Sequence, residues 1–175
     1  MLLRVELIRV LRVVKVKENN LSKKDVKVEE KKASGRIAAI RLRGITGVKH
    51  DIKKTMEILR LYRKNYCVVL ENKPSYLFML KKVKDYVTYG EIDDNTYKML
   101  IEKRGEVYRG REESYKGKIK YKNFIVLDNK KLKPFFRLSP PKGGFERKGL
   151  KASFKQGGAL GYRGQAIIKL IERMV

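Results

Sequence analysis

Between Arg36 and Gly105 the apolar residues pass from a spacing of two to one of about 3.6 and back again, and this alternation limits the possible folds more than any other feature. Ala38, Ile40 and Leu42 alternate with Arg41 and Arg43, as in a strand with one buried face. Asp51 then stands where a helix needs a cap. Ile52, Met56, Leu59 and Tyr62 form one stripe behind it, with Lys53, Lys54, Glu57, Arg60 and Arg63 mostly off it. "NYCVVLE", residues 65–71, reads as a second strand. Pro74 suits the first turn of a second helix striped by Tyr76, Met79, Leu80, Val83 and Val87. "VTYGEI" has the residue types of a third strand, kept short by Gly90. Asp93 caps a third helix that stops at "KRG", with Gly105 as a left-handed terminator. The expected unit is an α+β core. Two helices on one face of a small sheet bury their stripes and leave the other face, or the loops, to a partner.

The flanks are less regular. In residues 1–35, Leu3, Leu7, Leu11 and Val14 suit a helix, while Val14, Val16, Val26 and Val28 suit strands on either side of Asn19 and Asn20; both readings stay open. After Gly105, Pro134, Pro140, Pro141 and the pairs Gly143 with Gly144 and Gly157 with Gly158 forbid continuous helix and argue for extended coil, with "KNFIVLD" as one strand. A closing helix striped by Ile167, Leu170, Ile171 and Met174 needs a surface, which the core can supply. The chain thus divides into a basic N-terminal extension (1–35), a core (36–104) and a basic C-terminal extension ending in a short helix (105–175).

Charge narrows the function. A formal net charge of +25 from 44 basic and 19 acidic residues repels itself unless a polyanion neutralises it, which points to nucleic acid. The excess is greatest in residues 105–155, with 15 basic and 5 acidic side chains. There Tyr108, Tyr115, Tyr121, Phe124, Phe135 and Phe136 stand among Arg109, Arg111, Lys116, Lys118, Lys120 and Lys122, so stacking and phosphate-neutralising groups occur together. "MLLRVELIRVLRVVKVK" carries six charged residues and falls short of the roughly 18 to 20 apolar residues of a membrane span. It has no signal-peptide pattern either, so the expected compartment is the cytoplasm. One cysteine, Cys67, and one histidine, His50, supply neither a disulfide nor a zinc set, and no metal or cofactor is expected. Cys67 reads as a buried small hydrophobe.

Gly44 and Gly47 in "GITG" follow a strand and precede a helix, a place where turn amides and the helix dipole can hold a phosphate. A tight turn needing positive φ explains them equally well. "GITGVKHD" is not a nucleotide-binding P-loop, lacking both the glycine spacing and the Gly-Lys-Ser/Thr ending. Glu91, Asp93 and Asp94 could hold Mg²⁺ in a nuclease, although Asp93 as a cap and Asp94 in a first helical turn already account for two of them.

"AIRLRGITGVKHDIKKTMEILRLYRKNYCVVLENKPSYLFMLKKVKDYVTYGEID", then "KRG", "PFFRLSPPKGGF" and "GGALGYRGQAIIKLIERM", in collinear order, closely resemble the L-thirty family of large-subunit ribosomal proteins in its archaeal and eukaryotic branch. The resemblance implies a βαβαβ domain with an antiparallel three-stranded sheet, and a non-catalytic place in the large ribosomal subunit. It implies contact with large-subunit rRNA, nearby 5S rRNA and neighbouring ribosomal proteins, at one copy per subunit. Carried over by position, Arg41, Arg43, Lys49, His50, Lys53 and Lys54, with Arg137, Lys142, Gly143 and Gly144 of "RLSPPKGG", become expected rRNA contacts. Arg60, Arg63, Arg147 and Lys148 complete the candidate set. Residues 105–133 are shorter and more basic than the usual middle portion of the family, and residues 1–35 have no recognised archaeal counterpart; both read as added rRNA-binding segments. The competing expectations are a metal-dependent RNA nuclease and a free-standing RNA chaperone or regulator.

Overall fold

The computed structural model describes residues 35–121, 124–127 and 130–175. Strand β1 (Arg36–Arg41) lies at the centre of a sheet, antiparallel to β2 (Tyr66–Glu71) on one side and β3 (Val87–Ile92) on the other, with Ala38 opposite Val69 and Gly90. Ile37, Ala38, Ala39 and Ile40 are all buried, so neither face of β1 meets water. An uninterrupted apolar run of this kind marks a strand covered on both sides.

Helices α1 (His50–Ile58) and α2 (Pro74–Lys82) cover one face, where Met56, Leu59, Leu61, Leu80 and Val83 pack on Ile37, Ala39, Val68 and Tyr89. The two expected helices are there. The opposite face is not left to a partner: α3 (Asp94–Arg104) and the closing helix α4 (Ile167–Met174) fill it. Leu100, Ile167, Leu170, Ile171 and Met174 pack against Ala38, Ile40, Cys67 and Phe136. Removing so much apolar surface from water outweighs any gain from exposing it to a polar ligand. Ile171→Val is expected to lower stability by about 1 kcal/mol in urea unfolding. No loss would mean that α4 lies outside the cooperative core.

The C-terminal segment also borders the sheet. Strand β6 (Phe136–Arg137) pairs antiparallel with β2, and β7 (Gly161–Tyr162) pairs parallel with β3, so the antiparallel three-stranded unit is the centre of a five-stranded sheet in the order β6-β2-β1-β3-β7. Strand β4 (Ile125–Leu127) and β5 (Lys130–Leu132) form a separate hairpin. Gly90 is close-packed against the chain that follows β7: a Cβ there would overlap the carbonyl of Gly164.

Several local expectations change. Helix α1 starts at His50 with Lys49 as its N-cap, so Asp51 is a first-turn carboxylate rather than the cap. It ends early because Arg60 takes φ 61°, with Arg60 N–H donating to Glu57 O and Leu61 N–H to Met56 O, a Schellman closure. Tyr62, Arg60 and Arg63 therefore lie beyond the helix. Val87 belongs to β3, not to the α2 stripe. Gly105 is extended, at φ −67° and ψ 121°, and not left-handed; a side chain there would overlap the Ile101 carbonyl. The readings made for residues 1–34, the ends of "KNFIVLD" and Lys122 lie outside the described residues.

Candidate nucleic-acid interface

The antiparallel pairing brings the chain leaving β1, the chain entering β2 and the chain entering β3 to one end of the sheet, and hydrogen bonds tie them there. Leu42 and Arg43 N–H donate to Tyr86 O at 3.0 and 3.2 Å, and Asn65 N–H to Arg41 O at 2.7 Å. Asn65, at φ 62°, makes the sharp entry into β2. Arg41 is buried, with Nε donating to Arg43 O at 2.9 Å and Nη1 to Leu61 O and Tyr62 O at 2.9 and 2.7 Å. Burial lowers the pKa of its guanidinium. Arg41 is thus withdrawn from the candidate contacts. It builds the platform on which they stand.

Arg43 is exposed on that platform. Its Nη1 donates to Asp85 O at 3.2 Å and its guanidinium lies 5.5 Å from the Tyr86 ring centre, which leaves most of the charge facing outward. In the following turn Val48 N–H reaches Ile45 O at 3.3 Å and Gly47 takes φ 70°, a conformation only glycine adopts freely. Gly44 is different. It needs no positive φ, and its Cα faces Lys64, whose Cε would lie 3.5 Å from an added Cβ. Lys49, His50, Lys53 and Lys54 are exposed at the start of α1, where first-turn N–H groups and the helix dipole favour an anion. Arg63 is exposed in the turn before β2 and Arg60 is half-buried there. Two exposed cations were missed, Lys64 and Lys84. Strand pairing was the signal for both, since each precedes a strand that neighbours β1.

The described residues between 105 and 133, the arm, are tied to one another by backbone hydrogen bonds. Tyr108 N–H donates to Lys131 O at 2.8 Å and Lys133 N–H to Glu106 O at 2.8 Å, which continues the β4–β5 hairpin. Beyond it Ser114 N–H to Ile119 O at 2.9 Å and Tyr121 N–H to Glu112 O at 2.8 Å close a second turn. Three described carboxylates are paired, Glu112 with Lys131 at 2.6 Å, Glu113 with Lys120 at 3.7 Å, and Glu106 with Lys133 at 2.6 Å and Arg137 at 2.9 Å. The Lys133 hydrogen bond leads in holding the Glu106 carboxyl below its usual range, against the opposing cost of burial, with help from the Lys133 and Arg137 charges. Arg109, Arg111, Lys116 and Lys118 stay exposed, the last two at the tip turn.

The "RLSPPKGG" segment leaves β6 with Leu138 N–H bonded to Asn65 O at 3.0 Å, then runs to the carboxyl ends of α3 and α4. Ser139 N–H donates to Met174 O and Lys142 N–H to Arg173 O, both at 2.9 Å. Arg104 Nη2 reaches Ser139 Oγ at 2.9 Å and Val175 O at 2.8 Å, while Arg173 donates to the carbonyls of Lys142 and Gly144. Gly143 and Gly144, at φ 77° and 76°, present exposed backbone beside the exposed Lys142. Arg147 and Lys148 are exposed in the next loop, whereas Arg163 is buried in an ion pair with Glu146 and over the Phe154 ring at 4.5 Å. Arg104, Arg163 and Arg173, all positioning residues, have no signature in the sequence because most of their partners, carbonyls and side chains alike, lie far along the chain.

Two of the three carboxylates weighed for a nuclease have protein partners. Asp94 pairs with Arg36, and Tyr162 Oη donates to Glu91 at 3.3 Å. Among the described residues no group of three His, Cys, Asp or Glu side chains could hold a metal ion. Cys67 is fully buried, and burial pushes its thiol up to about 12, far from a nucleophile's range. Among the described residues no helix is long and apolar enough to cross a membrane.

Residues 37–87 match the family model described as ribosomal protein L30p/L7e. Proteins named large ribosomal subunit protein uL30 are similar over much more of the chain. That of Methanopyrus kandleri is 46% identical over 149 residues, covering 77% of this chain and 100% of the relative. Those of Methanococcus vannielii and Nanoarchaeum equitans are 44% and 40% identical, each covering 79% of this chain and respectively 98% and 97% of the relative. Identity of 40 to 46% over more than three quarters of the chain exceeds what a shared small fold would produce, and the chain belongs to the ribosomal protein L30p/L7e family, a family of structural proteins and not of enzymes.

Proposed function

We propose that the protein is a structural component of the large ribosomal subunit in the cytoplasm, which holds rRNA through the cations at the loop end of its sheet. The observation that carries this reading is the convergence of three connections on the Arg41 anchor, which sets exposed Arg43, Lys49, Lys53, Arg63, Lys64 and Lys84 on neighbouring loops. Because the protein's own helices cover both faces of the sheet, the rims are what remains to meet a large polyanion. Phosphate contacts supply affinity, and the fixed spacing of the loops selects rRNA shape. The clamped Lys142, Gly143 and Gly144 loop and the arm's Arg109, Arg111, Lys116, Lys118 and Lys120 extend the contact, as do Arg137, Arg147 and Lys148. Proximity to 5S rRNA, contact with neighbouring ribosomal proteins and one copy per subunit complete the proposal.

Lys49→Ala and Arg43→Ala are each expected to reduce the slope of log affinity against log salt by about 1, with no large change in the melting temperature. Filter binding to large-subunit rRNA measures this, and an unchanged slope for both would remove the loop end of the sheet from the interface. Cofractionation with salt-washed large subunits distinguishes a ribosomal component from a free regulator. With Mg²⁺ present, neither the native protein nor Asp93→Asn is expected to release nucleotides from RNA; turnover abolished in Asp93→Asn would restore the nuclease reading.

A further inference from the structure

Between the turn after α1 and the base of the arm lies an open cleft of about 380 Å³, within the size range of small-ligand sites, roughly 300 to 1,000 Å³. Its floor is aromatic and held in place. Phe135 stacks on Tyr66 at 4.9 Å with the rings 11° from parallel, and Tyr62 meets Phe135 edge-on at 6.1 Å. The backbone of Tyr62 is itself fixed by Arg41, yet half of the residue remains exposed, so an apolar surface is kept open to water. Tyr108 forms the opposite wall, steadied by its hydroxyl donating to Arg111 O at 3.1 Å and by Phe124 at 5.4 Å. Gly110 admits the Tyr108 ring, which any side chain there would overlap.

Pro134 and the cations Arg60, Arg109 and Lys133 complete the lining, with Lys133 already paired to Glu106. Among the described residues no carboxylate lines this cleft, and Arg109 has no hydrogen-bond or ion-pair partner. An exposed aromatic cleft would ordinarily pack against apolar side chains of another protein. The surrounding positive charge argues against that occupant and for one with a flat π-face and a negative backbone. We infer that the cleft receives one unpaired nucleotide of RNA, its base laid between Tyr62 and Tyr108 and its phosphate met by Arg109. This rests on the rRNA-binding reading and adds to it a single-strand site, distinct from phosphate contacts that treat paired and unpaired RNA alike.

The test compares the full chain on two RNAs, a ten-nucleotide single strand carrying one internal 2-aminopurine and a ten-base-pair duplex. The native protein is expected to quench the 2-aminopurine fluorescence. Tyr62→Ala should lose that quenching and weaken single-strand binding by about fivefold or more, while duplex affinity stays within about twofold; Tyr62→Phe should behave as native. Tyr108→Leu, which keeps the apolar bulk and loses the ring, should repeat the selective loss, so the result does not depend on one variant folding well. Equal effects on both RNAs, or none on either, would overturn the cleft assignment and leave the phosphate contacts standing. Failure of the native protein to bind either RNA at low salt would overturn both.

Discussion

A rise in salt from about 50 to 200 mM is expected to weaken binding of the isolated protein to large-subunit rRNA by about a thousandfold. The magnitude follows from counterion release: each phosphate neutralised contributes about 0.9 to the slope on a B-DNA duplex and about 0.7 on a single strand, so six or more contacts give about three decades. Arg43, Lys49, Lys53, Arg63, Lys64 and Lys84 are six such cations at the loop end of the sheet, besides Lys54, which pairs with Glu57, and before the arm is counted. Titration by fluorescence anisotropy at several salt concentrations measures the slope. An affinity that stays flat into several hundred millimolar salt would require recognition by uncharged groups and would remove the electrostatic basis of the proposed function.

Arg41→Ala is expected to destabilise the protein by about 3 to 5 kcal/mol, or on the order of 10 °C in the melting temperature. The substitution leaves the carbonyls of Arg43, Leu61 and Tyr62 without their donor, and each orphaned acceptor costs about 1 to 3 kcal/mol where water cannot reach it. Arg41→Lys should recover little, because a single ammonium cannot reproduce the fixed fork that serves three acceptors. Arg43→Ala, by contrast, should leave the melt nearly unchanged and weaken RNA binding. Urea unfolding of the three variants separates the two arginines. Should Arg41→Ala unfold like the native protein yet bind RNA poorly, Arg41 would be a contact after all.

These two arginines show where the sequence was readable. Both stand at alternate positions of the sequence, Arg41 at the end of β1 and Arg43 just beyond it, which a one-sided sheet would send to water. The alternation gave the strand correctly and the burial wrongly, because it passed over Ile37 and Ala39, the apolar residues of the second face. Helix α4 was legible from its stripe of Ile167, Leu170, Ile171 and Met174, all four buried. That it would fill the face opposite α1 and α2 was not, since a stripe states that a helix needs a surface without saying which. The "GITG" turn was legible at Gly47 and misread at Gly44. Lys64 and Lys84 went unnoticed because only strand pairing, a long-range property, carries them to the loop that holds Arg43.

Local spacing and charge, properties of neighbouring residues, settled the three central strands, the helices between and after them, the excess of cations and the absence of a zinc or disulfide set. Those quantities depend on which side chains lie within a turn or two of each other, and the chain displays them directly. The closed second face, the conversion of Arg41 from a surface charge into an anchor, and the aromatic cleft beside the arm were decided by the tertiary structure alone. Each joins residues twenty or more positions apart, and their energies come from desolvation and backbone hydrogen bonds that exist only once the segments have met.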